Sequence, residues 1–351
     1  MKNLKTLNFS VLALCCFLFI QCTTDPIAGP AGEDGLDGVD GVDGVNSTTE
    51  CAQCHNVTTS EAVHASFAFS SHYENGTYVR GSSASCARCH SGNGFVDYIS
   101  QGAMNDYTPS QEVLDHPEKI TCTTCHDMHT TFDFEGEGYD YALRTLKGVD
   151  LMTDPSYTLD FNGTSNICAN CHQPRSLPPA DNGLGLYEIT STRFGPHHGP
   201  QATFLEGIQG GEIAGTVEYP APGSATHRTG SSCTNCHMGE SGDQIQGNHT
   251  WFPTETACIE CHTGGAPSEV AGLEEDMATL LALLETVGVV EVEIDEEGNV
   301  DVSPVRGTYK IAEAEAAWNY ILLMEDKSMG AHNPKYAKAL IKNSIEALSA
   351  N

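Results

Sequence analysis

The residues in this chain best suited to chemistry are its cysteines, and twelve of the fifteen stand in six pairs of one design. The pairs are Cys51/Cys54, Cys86/Cys89, Cys122/Cys125, Cys168/Cys171, Cys233/Cys236 and Cys258/Cys261. Each has two residues between its members and a histidine directly after the second, giving CAQCH, CARCH, CTTCH, CANCH, CTNCH and CIECH. Zinc knuckles would use the paired thiolates, but they give no reason for a histidine at the same offset in all six. Disulfides explain that histidine no better. Covalent attachment of haem c uses every part. Two thiols add across two vinyl groups on one edge of a porphyrin, and the adjacent histidine is then held beneath the ring as an iron ligand. The expected proximal ligands are His55, His90, His126, His172, His237 and His262, one for each of six haems.

What fills the opposite face of each iron separates a wire from a catalyst. An open position binds substrate, whereas a second histidine closes the site and favours electron transfer. Nine further histidines are present: His64, His72, His116, His129, His197, His198, His227, His249 and His332. They suffice to close all six sites. Met128 and Met238 adjoin proximal histidines and read as packing residues.

The elements that must position these motifs are irregular. First members of successive pairs lie 35, 36, 46, 65 and 25 residues apart, which is a repeated motif on loops of varying length and not a fixed-period solenoid. Between pairs the chain is rich in Gly, Pro, Ser, Thr and Asn, with short apolar stretches. Six haems over the 212 residues from Cys51 to His262 leave about 35 residues for each, so the cofactors must pack against one another. With 39% hydrophobic and 7% aromatic residues, the side-chain core is modest. The expected fold is mostly α with extensive loops, a multihaem cytochrome c fold whose core is largely stacked haems.

After His262 the composition changes. Ser268 is placed to cap a helix through LEEDMATLLALLE to about Val287, with Gly288 at its end. VVEVEIDEEGNVDV alternates about a turn near Gly298 and reads as a small β-hairpin. Two helices follow, from about Thr308 to Ser328 and, with Asn333 as cap, from Pro334 to Leu348. The expected divisions are a lipoprotein-type signal peptide over 1–21, a lipidated cysteine and Gly-rich acidic spacer over 22–50, a hexahaem domain over 51–265, and a helical part with the hairpin over 266–351.

The N-terminal expectation rests on Lys2 and Lys5 before an apolar run from Leu7 to Ile20, the layout of a secretory signal. Cys22 follows directly and is the expected lipidation site, which would anchor the chain by acyl groups without a spanning helix. Glycine at every third position from Gly29 to Gly44 reads as an extended spacer. The 47 acidic and 16 basic residues give a net charge of −31, which excludes nucleic acid and anionic membrane surfaces as partners. Glu274, Glu275 and the acidic turn from Asp295 to Glu297 read as solvated faces, and calcium is the ion such acid could hold.

The segments SSHYENG, CARCHSGNGF, TCTTCHDMH, CANCHQPR, GPHHGPQ, CTNCHM, GNHTW and GAHNPKY resemble those of multihaem cytochromes related to the nitrite reductase and octahaem groups, and of related outer-membrane electron-transfer cytochromes. The likeness runs over about residues 51 to 349. It implies that His72, His129, His197, His227, His249 and His332 are distal ligands, leaving His64, His116 and His198 in reserve. Ammonia-forming nitrite reductases carry CxxCK at the catalytic haem, and this chain has none, so the resemblance does not extend to that activity. The function expected is electron transfer along a row of mainly bis-histidine haems at a bacterial cell envelope, in respiration or to an extracellular acceptor. The partners expected are redox proteins or an acceptor outside or in the periplasm, at an outer membrane. Reduction of a small nitrogen or sulfur oxyanion at a five-coordinate haem, and assembly into a cytochrome filament, are the alternatives.

Overall fold

The computed structural model describes residues 51–350 apart from 104–105, 133–135, 137–139, 242–244 and 296–299. The expected signal peptide, Cys22, the glycine spacer and the hairpin turn with Glu296, Glu297 and Gly298 lie outside the described residues. Residues 53–351 pack as one unit, and residues 1–52 form another, of which Cys51 and Ala52 are described.

Short-range chain chemistry builds the motif-bearing region from single helical turns. These are Cys51–Cys54, Ala87–His90, Cys122–Cys125, Asn166–Ala169, Cys233–His237 and Glu255–Ile259. The backbone N–H groups of His90, His126, His172 and His262 each donate to the carbonyl of their motif's first cysteine at 2.9 to 3.0 Å. A turn of this kind sets residues i and i+3 on one side with i+4 beside them. Two thiols and an imidazole are thereby aimed together by sequence-local bonds.

Two longer helices flank these turns. α1, Val57–Ala68, starts where the Asn56 side chain accepts the Thr59 N–H at 2.8 Å. α2, Gly92–Ser100, lies directly on the second motif turn. A Cβ on Gly94 would come within 2.4 Å of the Ala87 carbonyl oxygen, so the close approach of α2 to CARCH requires glycine there. Further along, β1 (Val149–Asp150) pairs antiparallel with β2 (Thr158–Leu159) beside a small cluster of Leu151, Phe161, Ala202 and Leu205.

The conventional core sits at the C-terminal end. Helix α3 spans Leu273–Val287 and buries Leu273, Met277, Leu280 and Leu284, a spacing that keeps one apolar face inward. It packs against α4, Ile311–Asp326, and α5, Pro334–Ser349. Trp318 of α4 and Tyr336 of α5 are fully buried against residues 194–219. Burial of each large side chain contributes about 2 kcal/mol, and this cluster is the largest apolar one described. Asn319, also fully buried, accepts the Gly211 N–H and donates to the Gly211 carbonyl and to Ser344 Oγ. That clamp ties residues 209–211 to α4 and α5.

The strands complete this region. β3 (Leu186–Ile189) pairs antiparallel with β6 (Gly307–Lys310), and β4 (Val290–Ile294) with β5 (Val300–Pro304). The expected boundary at 265/266 therefore does not divide the packing. β3 crosses it to reach β6, and Ile189, Phe204 and Ile213 share one cluster with α3 to α5. Two helix starts also differ from expectation. Gly272, at φ 76°, stops the helix from reaching back to Ser268, and pairing with β3 holds Thr308–Lys310 extended so that α4 begins at Ile311. Among the described residues, no helix is long and apolar enough to cross a membrane.

Candidate functional site

Each of the six motif histidines stands opposite one other histidine. The ring centroids are 6.0 Å apart for His55 and His129, 6.1 Å for His90 and His197, 6.2 Å for His126 and His249, 6.1 Å for His172 and His72, 6.1 Å for His237 and His332, and 6.1 Å for His262 and His227. Imidazoles in direct contact would lie closer, as adjacent His197 and His198 do at 4.9 Å. A metal–imidazole bond is about 2 Å, so one ion gripped from both sides sets two ring centres roughly 6 Å apart once each ring's own radius is added. The spacing is uniform across pairs whose members lie from 35 to 123 residues apart in sequence, His227 with His262 at one end and His126 with His249 at the other. That uniformity is the fit of these residues to a six-coordinate iron.

Ten of these twelve histidines, all but His55 and His129, line one continuous cavity of about 2650 Å³ together with the cysteines of the second to sixth motifs. Shared among five histidine pairs this is roughly 530 Å³ each, within the range of single-cofactor pockets. The eleven motif cysteines from Cys54 to Cys261 lie outside any disulfide. Burial pushes the His72 and His197 rings down to about 4, keeping each imidazole neutral as a metal ligand must be.

The far nitrogen of many of these rings is committed elsewhere, which fixes ring orientation and tautomer. His126 Nδ1 donates to the Tyr141 carbonyl at 2.8 Å, His227 to the Ala331 carbonyl at 2.5 Å and His237 to the Trp251 carbonyl at 2.7 Å. His129 and His332 donate to Asp140 and Asp326 at 2.5 and 2.7 Å. The Ala142 N–H above all, then His129 and Thr130, holds the Asp140 carboxyl well below the usual carboxylate range. His172 Nδ1 donates to Gln201 Oε1 at 3.0 Å, and the Gln201 amide in turn donates to the Glu325 and Asp326 carbonyls. The motif pattern carries no signal for Gln201, Asp140, Asp326 or Trp251. Gln201 and Trp251 do close the segments GPHHGPQ and GNHTW that resemble known cytochromes.

Of the reserve histidines, His198 lines the same cavity beside His197, and His64 and His116 do not line it. His64 lies on α1, His116 ends a short helix where its carbonyl accepts from Asn93, and exposed His198 donates Nδ1 to Glu325 at 2.8 Å. Glu274 and Glu275 are exposed on the first turn of α3, as is Asp295 after β4. Among the described residues, no three or more His, Cys, Asp or Glu side chains gather about a point as a metal cage.

The motif turns also touch one another. Cys89 and Cys171 thiols are within hydrogen-bonding reach, and each lies against the other turn's backbone. Cys168 meets Cys233 in the same way, beside a 2.8 Å bond between Ser165 and Ser232. Cys125 is close enough to act electrostatically on Cys168 and Cys171, and Cys236 on Cys258.

Comparison with known proteins bears on this geometry. Residues 31–137 match the family model described as outer membrane cytochrome MtrC/MtrF-like, domains II/IV. The C-type polyheme cytochrome OmcB of Geobacter sulfurreducens, in strains DL-1/KN400 and PCA alike, is 26% identical over 210 residues, 52% of this chain and 27% of that protein. The chain is a multihaem c-type cytochrome. The cytochrome spans about a quarter of the length of the curated relatives it matches. The crystal structure of the outer cell wall cytochrome OcwA is also similar, at a TM-score of 0.48 and 17% identity, over 81% of the cytochrome and 49% of that chain.

Proposed function

We propose that this cytochrome is a hexahaem electron conduit at the bacterial cell surface, working in extracellular electron transfer. One observation carries the reading: all six CxxCH histidines have a histidine opposite at 6.0 to 6.2 Å, so each pair would hold an iron between two imidazoles. The match to outer-membrane cytochromes supports the location, and an acyl anchor at Cys22 would hold the chain there. The same closure disfavours substrate reduction at a vacant iron.

Bound haem c supplies a one-electron iron couple. The chain does the rest. Cys51 and Cys54 with His55 and His129 would hold the first haem. Cys86, Cys89, His90 and His197 would hold the second, and Cys122, Cys125, His126 and His249 the third. Cys168, Cys171, His172 and His72 would hold the fourth, Cys233, Cys236, His237 and His332 the fifth, and Cys258, Cys261, His262 and His227 the sixth. The carbonyl and carboxylate acceptors on the far nitrogens fix the imidazoles in orientation and tautomer. Contacts among the motif turns favour a branched set over a simple row. The fourth site adjoins the second, third and fifth, the fifth adjoins the sixth, and His129 lies three residues past His126, which brings the first beside the third.

The test is a pyridine haemochrome count alongside coulometric reduction of the purified holoprotein. The expected result is six haems and six electrons per chain, passed from a soluble reductant to a solid electrode or ferric oxide. Fewer than six electrons, or reduced protein that a solid acceptor cannot reoxidise, would contradict the proposal.

A further inference from the structure

We infer that Trp251 is a shared positioning residue that couples three haem sites through its indole on one side and its backbone carbonyl on the other. This rests on the bis-histidine reading above and adds a residue that no CxxCH pattern designates. The indole stands edge-on to His72, with centroids 4.6 Å apart at 78°, and edge-on to His249, at 5.4 Å and 72°. Those imidazoles belong to the fourth and third sites. The Trp251 carbonyl accepts His237 Nδ1 at 2.7 Å, which reaches the fifth. Phe67 of α1 packs edge-on to the same indole at 5.9 Å.

One residue faces three ways because its backbone is unusual. Trp251 has φ 56° and ψ 16°, the left-handed region that bulky side chains rarely adopt. The surrounding loop holds it there. Thr250, buried, donates its hydroxyl to the Gly247 carbonyl and accepts the Phe252 N–H. Gly247 N–H donates to the Phe252 carbonyl at 2.8 Å, and a Cβ on Gly247 would come within 2.2 Å of the Gly239 carbonyl oxygen. The chain thus maintains a costly conformation at a residue whose two ends both meet candidate iron ligands, which is where functional strain collects. The edge-on contacts limit rotation of the His72 and His249 rings, and the carbonyl fixes that of His237. Ring orientation sets the splitting of the iron orbitals, so all three sites respond to this one residue.

Substitution separates the two ends. Trp251→Gly keeps the left-handed backbone and its carbonyl but removes the indole. Trp251→Val removes the indole and also disfavours that backbone, releasing the carbonyl. Trp251→Phe keeps a flat ring. The readout is EPR of the fully oxidised holoprotein, with a haemochrome count on each variant. The expected result is six haems throughout, two shifted low-spin signals in W251G, three in W251V, and near-native spectra in W251F. Should W251G fail to mature, Trp251→Leu, which retains bulk without a flat ring, is expected to shift the same two. Unchanged signals in W251G or W251L, or a shift spread over all six, would overturn the inference and leave the bis-histidine reading standing. A native protein with fewer than six low-spin haems would instead remove that reading itself.

Discussion

At the scale of residues, an imidazole that donates to a carboxylate is a stronger electron donor than one that donates to a neutral carbonyl, and it favours ferric over ferrous iron. His332, whose partner Asp326 is 1% exposed, is therefore set apart from His126 and His237, which donate to backbone carbonyls. Replacing Asp326 with Asn is expected to raise the potential of that haem. A tenfold loss of ferric preference corresponds to about 60 mV for a one-electron couple. Redox titration with optical detection checks this, and a titration identical to the native one would contradict it. The proximal half of each site was legible in the sequence because thiols and imidazole lie within five consecutive residues. The distal half came from likeness to related cytochromes, since His72 and His172 are brought together by tertiary packing alone. Acceptors such as the Ala331 carbonyl, 104 residues from His227, have no local signature at all.

At the scale of elements, each motif turn depends on what is packed against its back. α2 presses on the second motif with Gly94 at the contact, so Gly94→Ala forces a methyl against the Ala87 carbonyl and displaces either the helix or the turn. The expected cost is about 2 kcal/mol, seen as a lower Tm together with incomplete haem loading by intact mass. Gly76→Ala, which meets nothing within 4 Å, is the control expected to behave as native. Equal behaviour of the two variants would show that the contact does not matter. Helices α3, α4 and α5 were legible from apolar spacing and caps, and Asn333 does cap α5 through the Tyr336 N–H. β3 and β6 were not. Each is four residues long, and their pairing is specified by burial of Ile189 beneath the C-terminal helices, not by alternation within either strand.

At the scale of the whole molecule, the apolar side chains and the chemistry occupy different places. The larger apolar cluster gathers α3 to α5 with residues 189–213, while the histidines and thiols of the second to sixth motifs line a separate cavity. A chain with 39% hydrophobic residues thus gathers its apolar side chains around Trp318 and Tyr336 and leaves the motif-bearing part with few of them. The central claim is that all six irons lie between two histidines, and ring planes make it specific. The pairs His126/His249 and His237/His332 are inclined at 38° and 40°, and the other four at 65° to 79°. Imidazoles inclined by less than about half a right angle split the iron orbitals and give rhombic low-spin spectra, whereas crossed ones leave those orbitals close in energy and give highly anisotropic spectra. Quantitative EPR of the oxidised holoprotein is therefore the most direct measurement. It should return two rhombic and four highly anisotropic low-spin haems, and a single stoichiometric high-spin iron would contradict the account.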